Sequence, residues 1–229
     1  VLQLSTYAKL HEKSVTIMGV PKTIDNDLCL TDHTPGFGSA AKYIATTLQE
    51  IAYDTSIYPL PSVTIVEIMG RDAGWLTGAA TLARTDYGLG PDLIYLPEAA
   101  FDTERFLEDV KEIMQKKPNV LIAISEGIRD KEGKYISAST KTPDSFGHSQ
   151  LSGAGKTLET LVAHRLGTKV RSIELNLPQR CAAHLSSLTD IEESKELGCT
   201  AVAHALKGAS GYMSIIRRES NQPYRVSYD

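Results

Sequence analysis

The run Pro21-Lys22-Thr23-Ile24-Asp25-Asn26-Asp27 follows directly on an apolar stretch, Val15-Thr16-Ile17-Met18-Gly19-Val20. Thr34-Pro35-Gly36-Phe37-Gly38-Ser39 comes next, and a helical pattern begins there. The apolar stretch reads as a buried strand. Two carboxylates, a lysine and a hydroxyl therefore sit on the loop that leaves a strand. In an open parallel sheet, ligands bind outside the carboxyl ends of the strands.

The chemistry of the loop follows from its residue types. Asp25 and Asp27 are two apart, so on extended chain their side chains leave on the same side. One can act as a base while its neighbour helps hold a cation or a donor. Lys22 is a point charge that can approach a phosphate. Thr23 can donate to phosphate or sugar oxygens. Asp and Asn are also frequent turn residues, so the same seven residues taken alone are readable as a polar turn.

Working outward, strands alternate with helices. Ala40, Ala41, Ile44, Leu48 and Ile51 recur at helical spacing and predict an amphipathic helix from Ser39 to about Tyr53. Tyr58-Pro59-Leu60-Pro61 cannot continue a helix and marks a boundary. Val63 to Ile68 is a β-branched strand that delivers Met69-Gly70-Arg71. Trp75 to Arg84 reads as a helix, and Leu93 to Leu96 as a short strand. Phe106, Leu107, Val110, Ile113 and Met114 line one face of a helix capped by Asp102 and closed before Pro118. Val120 to Ile124 is a strand delivering Glu126.

Residues 128–153 are turn-rich and read as loop. Ala154 to Leu166 is helical, and Val170 to Leu175 is a strand. Thr189 and Glu192 form a capping box for a helix running to about Leu206 and stopped by Gly208. Tyr212 to Ile216 reads as a last strand. The predicted fold class is α/β, mostly parallel sheets flanked by helices.

Five segments carry a resemblance. Lys-Thr-Ile-Asp-Asn-Asp at 22–27, Met69-Gly70-Arg71, Ser125-Glu126-Gly127, Arg171 on a late strand and Gln179-Arg180 occur in this order. Together they resemble the phosphofructokinase family, and the lysine after Pro21 resembles its pyrophosphate-dependent branch. The resemblance implies two Rossmann-like halves. Residues 1–58 would form the donor-side half, 59–177 the sugar-phosphate-side half, and 178–229 would return to the first.

It further implies transfer of a phosphoryl group from pyrophosphate to the 1-hydroxyl of fructose 6-phosphate. An ATP-dependent enzyme and a non-catalytic sugar-phosphate-binding subunit are the alternatives. Asp25 would be the base and Lys22 its catalytic partner. Thr23, Ile24, Asp25, Asp27, Met69, Gly70, Arg71, Glu126, Arg171, Leu177 and Arg180 would bind substrate. The cofactor implied is Mg²⁺, with ligands unassigned, and the assembly implied is a cytoplasmic homo-oligomer. Two positions depart from the family pattern. Pro61 and Ser62 stand where many bacterial members place an arginine, and Leu177 stands where the family often has His or Tyr.

Composition fits this expectation. The chain has 229 residues, 41% hydrophobic and 23% charged, with a formal net charge of -4. That is enough for one large domain or two small ones, and it gives no basic footprint for nucleic acid. Positive charge for an anionic substrate must be local. Cys29, Cys181 and Cys199 lack metal-type spacing and suit a reducing compartment. No apolar run approaches the ~20 residues of a membrane helix. Ser152-Gly153-Ala154-Gly155-Lys156-Thr157 suggests a phosphate loop, but Gln150 stands where that motif needs glycine. His164 and His204 lie on helical patterns without metal spacing. The chain opens inside a helical pattern, Leu2 to Lys9, without an initiator Met, and the family's upstream Gly-Gly-Asp turn is not found. It therefore reads as a fragment lacking an N-terminal part.

Overall fold

A computed structural model describes residues 1–137 and 153–229. The chain divides into two compact units, Val1–Ser39 with Ser186–Asp229, and Ala40–Leu185. These cuts differ from the 58/59 and 177/178 boundaries read from the sequence. Prolines end a helix, but they do not decide which core its buried face joins.

The second unit holds a parallel sheet. Its strands are β1 (Ser62–Ile68), β2 (Leu93–Tyr95), β3 (Asn119–Ser125) and β4 (Lys169–Glu174), in spatial order β2-β3-β1-β4. Ile65 lies opposite Ile122 on one side and Ser172 on the other. Every residue of β1 and β3 after the first is buried. That is the pattern of central strands covered on both faces; it explains the apolar run of β3, while β1 also buries Thr64 and Glu67. Val63, Ile65, Val120, Ile122 and Ile124 pack with Phe101, Phe106, Leu107, Leu158 and Val162 into the core.

The helices of this unit largely follow their sequence signals. α2 (Phe37–Ser56) buries Ala40, Ala41, Ile44, Leu48 and Ala52. α4 (Thr103–Met114) is capped by Asp102, whose carboxylate accepts the Glu104 and Arg105 N–H groups. α5 (Ala154–Leu166) has the predicted limits. Trp75 to Arg84 differs: α3 (Trp75–Gly78) is one turn, followed by a 3₁₀ turn, Ala79–Ala83.

The first unit departs more from expectation. α1 (Leu2–Leu10) precedes the stretch 15–20, which forms no strand. Only Gly19 bridges in parallel to Met213, with Gly19 N–H donating to Tyr212 O and Ser214 N–H to Gly19 O. The segment 212–215 likewise gives that single bridge. β5 (Ile216–Asn221) begins where a strand was expected to end, and it pairs antiparallel with β6 (Tyr224–Tyr228). An apolar run becomes a strand only where a ladder partner continues alongside it.

α6 (Leu188–Leu206) is continuous through Gly198 and ends before Gly208. The expected capping box is absent. Ser187 is the N-cap, with no side-chain bond, and Thr189 lies inside the helix. Asp190 instead serves the start of α2. Its carboxylate accepts the Gly36 N–H at 2.8 Å, the Ser39 N–H at 2.9 Å and the Ser39 hydroxyl at 2.6 Å. A carboxylate there satisfies donors that a helix start leaves open. No helix among the described residues is long and apolar enough to cross a membrane.

Candidate active site

The first unit holds the acidic loop. Pro21 is buried and Lys22 exposed, while Thr23, Ile24, Asp25 and Asn26 are half-buried and Asp27 is exposed. Asp25 N–H donates to Thr23 Oγ1 at 3.0 Å. Asn26, at φ 56°, accepts the Thr34 N–H on its Oδ1 at 2.9 Å. The Thr34 hydroxyl donates to Thr23 O at 2.7 Å. Asn tolerates that left-handed backbone better than most residues. Lys22 has no ion-pair partner among the described residues.

Beyond the loop, His33 is clamped between two acids. Nδ1 meets Asp32 Oδ2 at 2.8 Å and Nε2 meets Glu193 Oε2 at 2.7 Å. Arg218 also bonds Asp32, and the Tyr224 hydroxyl bonds Glu193. Both ring nitrogens can donate only in the imidazolium form. Burial works against that charge, but the bonds and charges of Asp32 and Glu193 outweigh it and raise the His33 pKa.

A raised folded pKa contributes stability in full below the unfolded value of about 6.5 and loses it as pH rises through the folded value. His33→Gln should therefore cost stability at pH 6 and progressively less above pH 7. Urea melts of both proteins across pH 6–9 measure this. A difference that does not change with pH would contradict it.

The second unit gathers the other motifs at the carboxyl edge of its sheet. Met69, Gly70 and Arg71 leave β1, and two acceptors reach their turn. Gln179 Oε1 takes the Met69 N–H at 3.2 Å, and Glu126 Oε1 takes the Gly70 N–H at 3.3 Å. Ser125 Oγ donates to Gly70 O at 2.5 Å and accepts the Gly127 N–H at 3.0 Å. Gly70 has φ 129°, and a Cβ there would lie 2.6 Å from Ala73 O. A Cβ on Gly127 would lie 1.8 Å from Arg71 O. Glycine is required at both positions, at the first for its backbone angle and at the second for the close approach of the Arg71 backbone.

A polar pocket at this edge is lined by Glu67, Met69, Glu126, Glu174, Asn176 and Gln179. The main-chain donor at Met69 orients the Gln179 amide, so its Nε2 is the free end. Gln179 Nε2 and Arg71 Nε are buried with no partner among the described protein atoms. Each such donor costs about 1–3 kcal/mol when left unmade. Gln179 Nε2 suits a ligand acceptor, while Glu67, Glu126 and Glu174 on the same pocket suit hydroxyl donors; Arg71 is not among its lining residues.

The structure does not gather every sugar-side candidate. Arg180 is exposed at the end of a 3₁₀ turn, Leu177–Arg180, and the Leu177 side chain is likewise exposed. Arg171 lies mid-strand, opposite Thr64. It lines a separate pocket with Asp54, Thr55, Tyr58 and Leu60, towards the amino half of the sheet. Residues two apart on β4 share a face, so Arg171 points away from the side used by Ser172 and Glu174.

Sequence reading missed Glu67. Its buried carboxylate accepts the Gly155 N–H at 2.7 Å, and burial raises its pKa. A charged residue inside the apolar run 63–68 was the available signal. The same contact answers the phosphate-loop suggestion at 152–157: the described start of α5 already faces a carboxylate, and Ser152 lies outside the described residues. Among the described residues no three His, Cys, Asp or Glu side chains form a metal-holding group.

A family model described as Phosphofructokinase matches residues 3–204. A pyrophosphate--fructose 6-phosphate 1-phosphotransferase of Xanthomonas campestris is 43% identical over 226 residues, covering 98% of this chain and 54% of that protein. A sulfofructose kinase of Alkalicoccus urumqiensis is 35% identical over 211 residues, covering 92% of this chain and 54% of that protein. The crystal structure of a pyrophosphate-dependent phosphofructokinase from Marinobacter aquaeolei superposes with a TM-score of 0.84 at 35% identity, covering 99% of this chain and 54% of that one. The chain thus spans about half the length of the relatives it matches.

Proposed function

The chain belongs to the phosphofructokinase family, and from that premise we propose that it carries the base and the sugar-phosphate contacts of a pyrophosphate-dependent phosphotransferase. The proposed reaction gives fructose 1,6-bisphosphate and inorganic phosphate. The observation that carries the reading is the loop Lys22–Asp27, with the Asp25 N–H bonded to Thr23 Oγ1 and Lys22 without an ion-pair partner among the described residues.

Asp25 takes the proton of the 1-hydroxyl as that oxygen forms its bond to phosphorus. The bridging P–O bond of pyrophosphate breaks and phosphate leaves. Lys22 neutralises charge on the transferring group and on the leaving oxygens. On the sugar side, Arg71 and Arg180 hold the 6-phosphate, and Glu126 accepts hydrogen bonds from sugar hydroxyls. Met69 and Gly70 shape the turn that presents Arg71, and Thr23 and Ile24 frame the reacting end. Leu177 and Arg171 would act only on ligand reaching the exposed faces where they lie.

A divalent metal suits this donor set. Mg²⁺ is commonly held by one or two carboxylates together with substrate phosphates. Asp27, beside Asp25, would hold it, and when bound it supplies charge neutralisation at the phosphoryl oxygens. A cytoplasmic homo-oligomer is part of the same proposal.

Lys22 decides the donor. Pro21 limits the backbone on its amino side, and Lys22 stands three residues before Asp25 in the same loop. Pyrophosphate has no adenosine to bind, and point charges must supply most of its recognition. Lys22→Gly should lower kcat/KM with pyrophosphate by about 30-fold, near 2 kcal/mol. Steady-state kinetics of the intact polypeptide with pyrophosphate and ATP, on fructose 6-phosphate and on sulfofructose, make the test. Preference for ATP, or indifference to the loss of Lys22, rejects the pyrophosphate reading, and preference for sulfofructose rejects the sugar.

A further inference from the structure

The loop carrying Asp25 is closed by a residue that its own composition does not mark. Thr34 is fully buried. Its hydroxyl donates to Thr23 O at 2.7 Å and its N–H donates to Asn26 Oδ1 at 2.9 Å. Between those two points, the Asp25 N–H donates to Thr23 Oγ1 at 3.0 Å. Asp25 therefore sits inside a ring of three hydrogen bonds, two of which end on Thr34. Thr23 also bridges in parallel to Gly36, two residues beyond.

The residues just before Thr34 are held from the other side. Thr31 Oγ1 donates to His33 O at 2.9 Å and accepts the Ile216 N–H at 3.1 Å. Asp32 N–H donates to Ile216 O at 2.8 Å. His33 binds Glu193 of α6. The segment 31–33 is thus bolted to β5 and α6, and Thr34, which closes the acidic loop, follows it directly.

We infer that Thr34 is the positioning residue of Asp25: its buried hydroxyl and amide, bonded to Thr23 O and Asn26 Oδ1, hold the loop in the conformation that aims the Asp25 carboxylate. This rests on the reading of Asp25 as the base. Thr34 touches no reacting atom. It acts by denying the loop other conformations, and a base gains its effect only when held within hydrogen-bond reach of the proton it takes. The hydroxyl is the separable part. Valine keeps the shape and loses the bond to Thr23 O, leaving that carbonyl without this donor, while serine keeps the bond and loses a methyl.

The test compares Thr34→Val and Thr34→Ser in the intact polypeptide by amide hydrogen exchange over residues 23–26 and by kinetics with pyrophosphate and fructose 6-phosphate. Thr34→Val should lower kcat by about 10²-fold, the loss typical of a small misplacement. It should leave KM for fructose 6-phosphate within about twofold, because uniform binding is untouched. It should also speed exchange at residues 23–26 and leave α4 and β1 unchanged. Thr34→Ser should stay near wild type in both measurements. A merely structural role predicts a lower melting temperature with normal kcat per folded molecule, and that result overturns the inference. Unchanged exchange over 23–26 in Thr34→Val overturns it as well. Altered exchange in a protein whose wild type transfers no phosphoryl group overturns the reading of Asp25 and leaves the strap standing.

Discussion

Asp25→Asn should lower kcat by about 10²–10⁴-fold, the range a positioned general base contributes, with KM for fructose 6-phosphate little changed. Asparagine keeps the volume and the backbone bond from residue 25 to Thr23 Oγ1. It removes the negative charge and with it the ability to accept a proton, so the backbone bond is kept while the chemistry slows. The loss should fall on kcat and kcat/KM together, the pattern of an interaction made in the transition state. Steady-state kinetics with pyrophosphate read this directly. Turnover near the wild-type rate would end the assignment of Asp25 as base.

Gly127→Ala should disrupt the sugar-phosphate side as strongly, through packing and not through chemistry. The added Cβ would stand 1.8 Å from Arg71 O and 2.5 Å from Arg71 C. Real Cβ contacts start near 3 Å, so the Arg71 backbone must move by about 1 Å or more. A shift of that size in a substrate-holding group can cost about 10²-fold, and the overpacking itself about 1–3 kcal/mol of stability. KM for fructose 6-phosphate should rise and the urea midpoint should fall. Gly78→Ala is the control: nothing lies within 4 Å of its Cβ, and it should leave both unchanged. A wild-type KM in Gly127→Ala would mean that Arg71 does not hold the sugar phosphate.

The two variants mark different depths of legibility. The loop around Asp25 could be singled out from its own residues, because two acids, a lysine and a hydroxyl after an apolar run suggest phosphate chemistry, and the choice of Asp25 as its base came from the family resemblance. Gly127 could not. Its constraint is the Arg71 carbonyl, which belongs to a turn 56 residues earlier in the chain. Gln179 shows the same limit: its position next to Arg180 is visible in the sequence, but its bond to the Met69 N–H is not.

What the sequence by itself determined is everything whose cause is local or periodic. The β-branched run of β1 and the apolar run of β3 announced strands, α5 ran from Ala154 to Leu166 as its pattern required, and Asp102 capped α4. Only the tertiary structure decided what depends on a distant partner. The stretch 15–20 has strand composition, yet it makes one bridge because no strand among the described residues runs beside it. Asp190 sits in the first turn of α6 but caps α2, because the Gly36 and Ser39 amides come within 3 Å across more than 150 residues of chain. Arg171 fell away from the other sugar-side candidates because strand alternation turned it to the opposite face. Propensity and periodicity act over a few residues, and hydrogen-bond satisfaction acts over whatever the fold brings close.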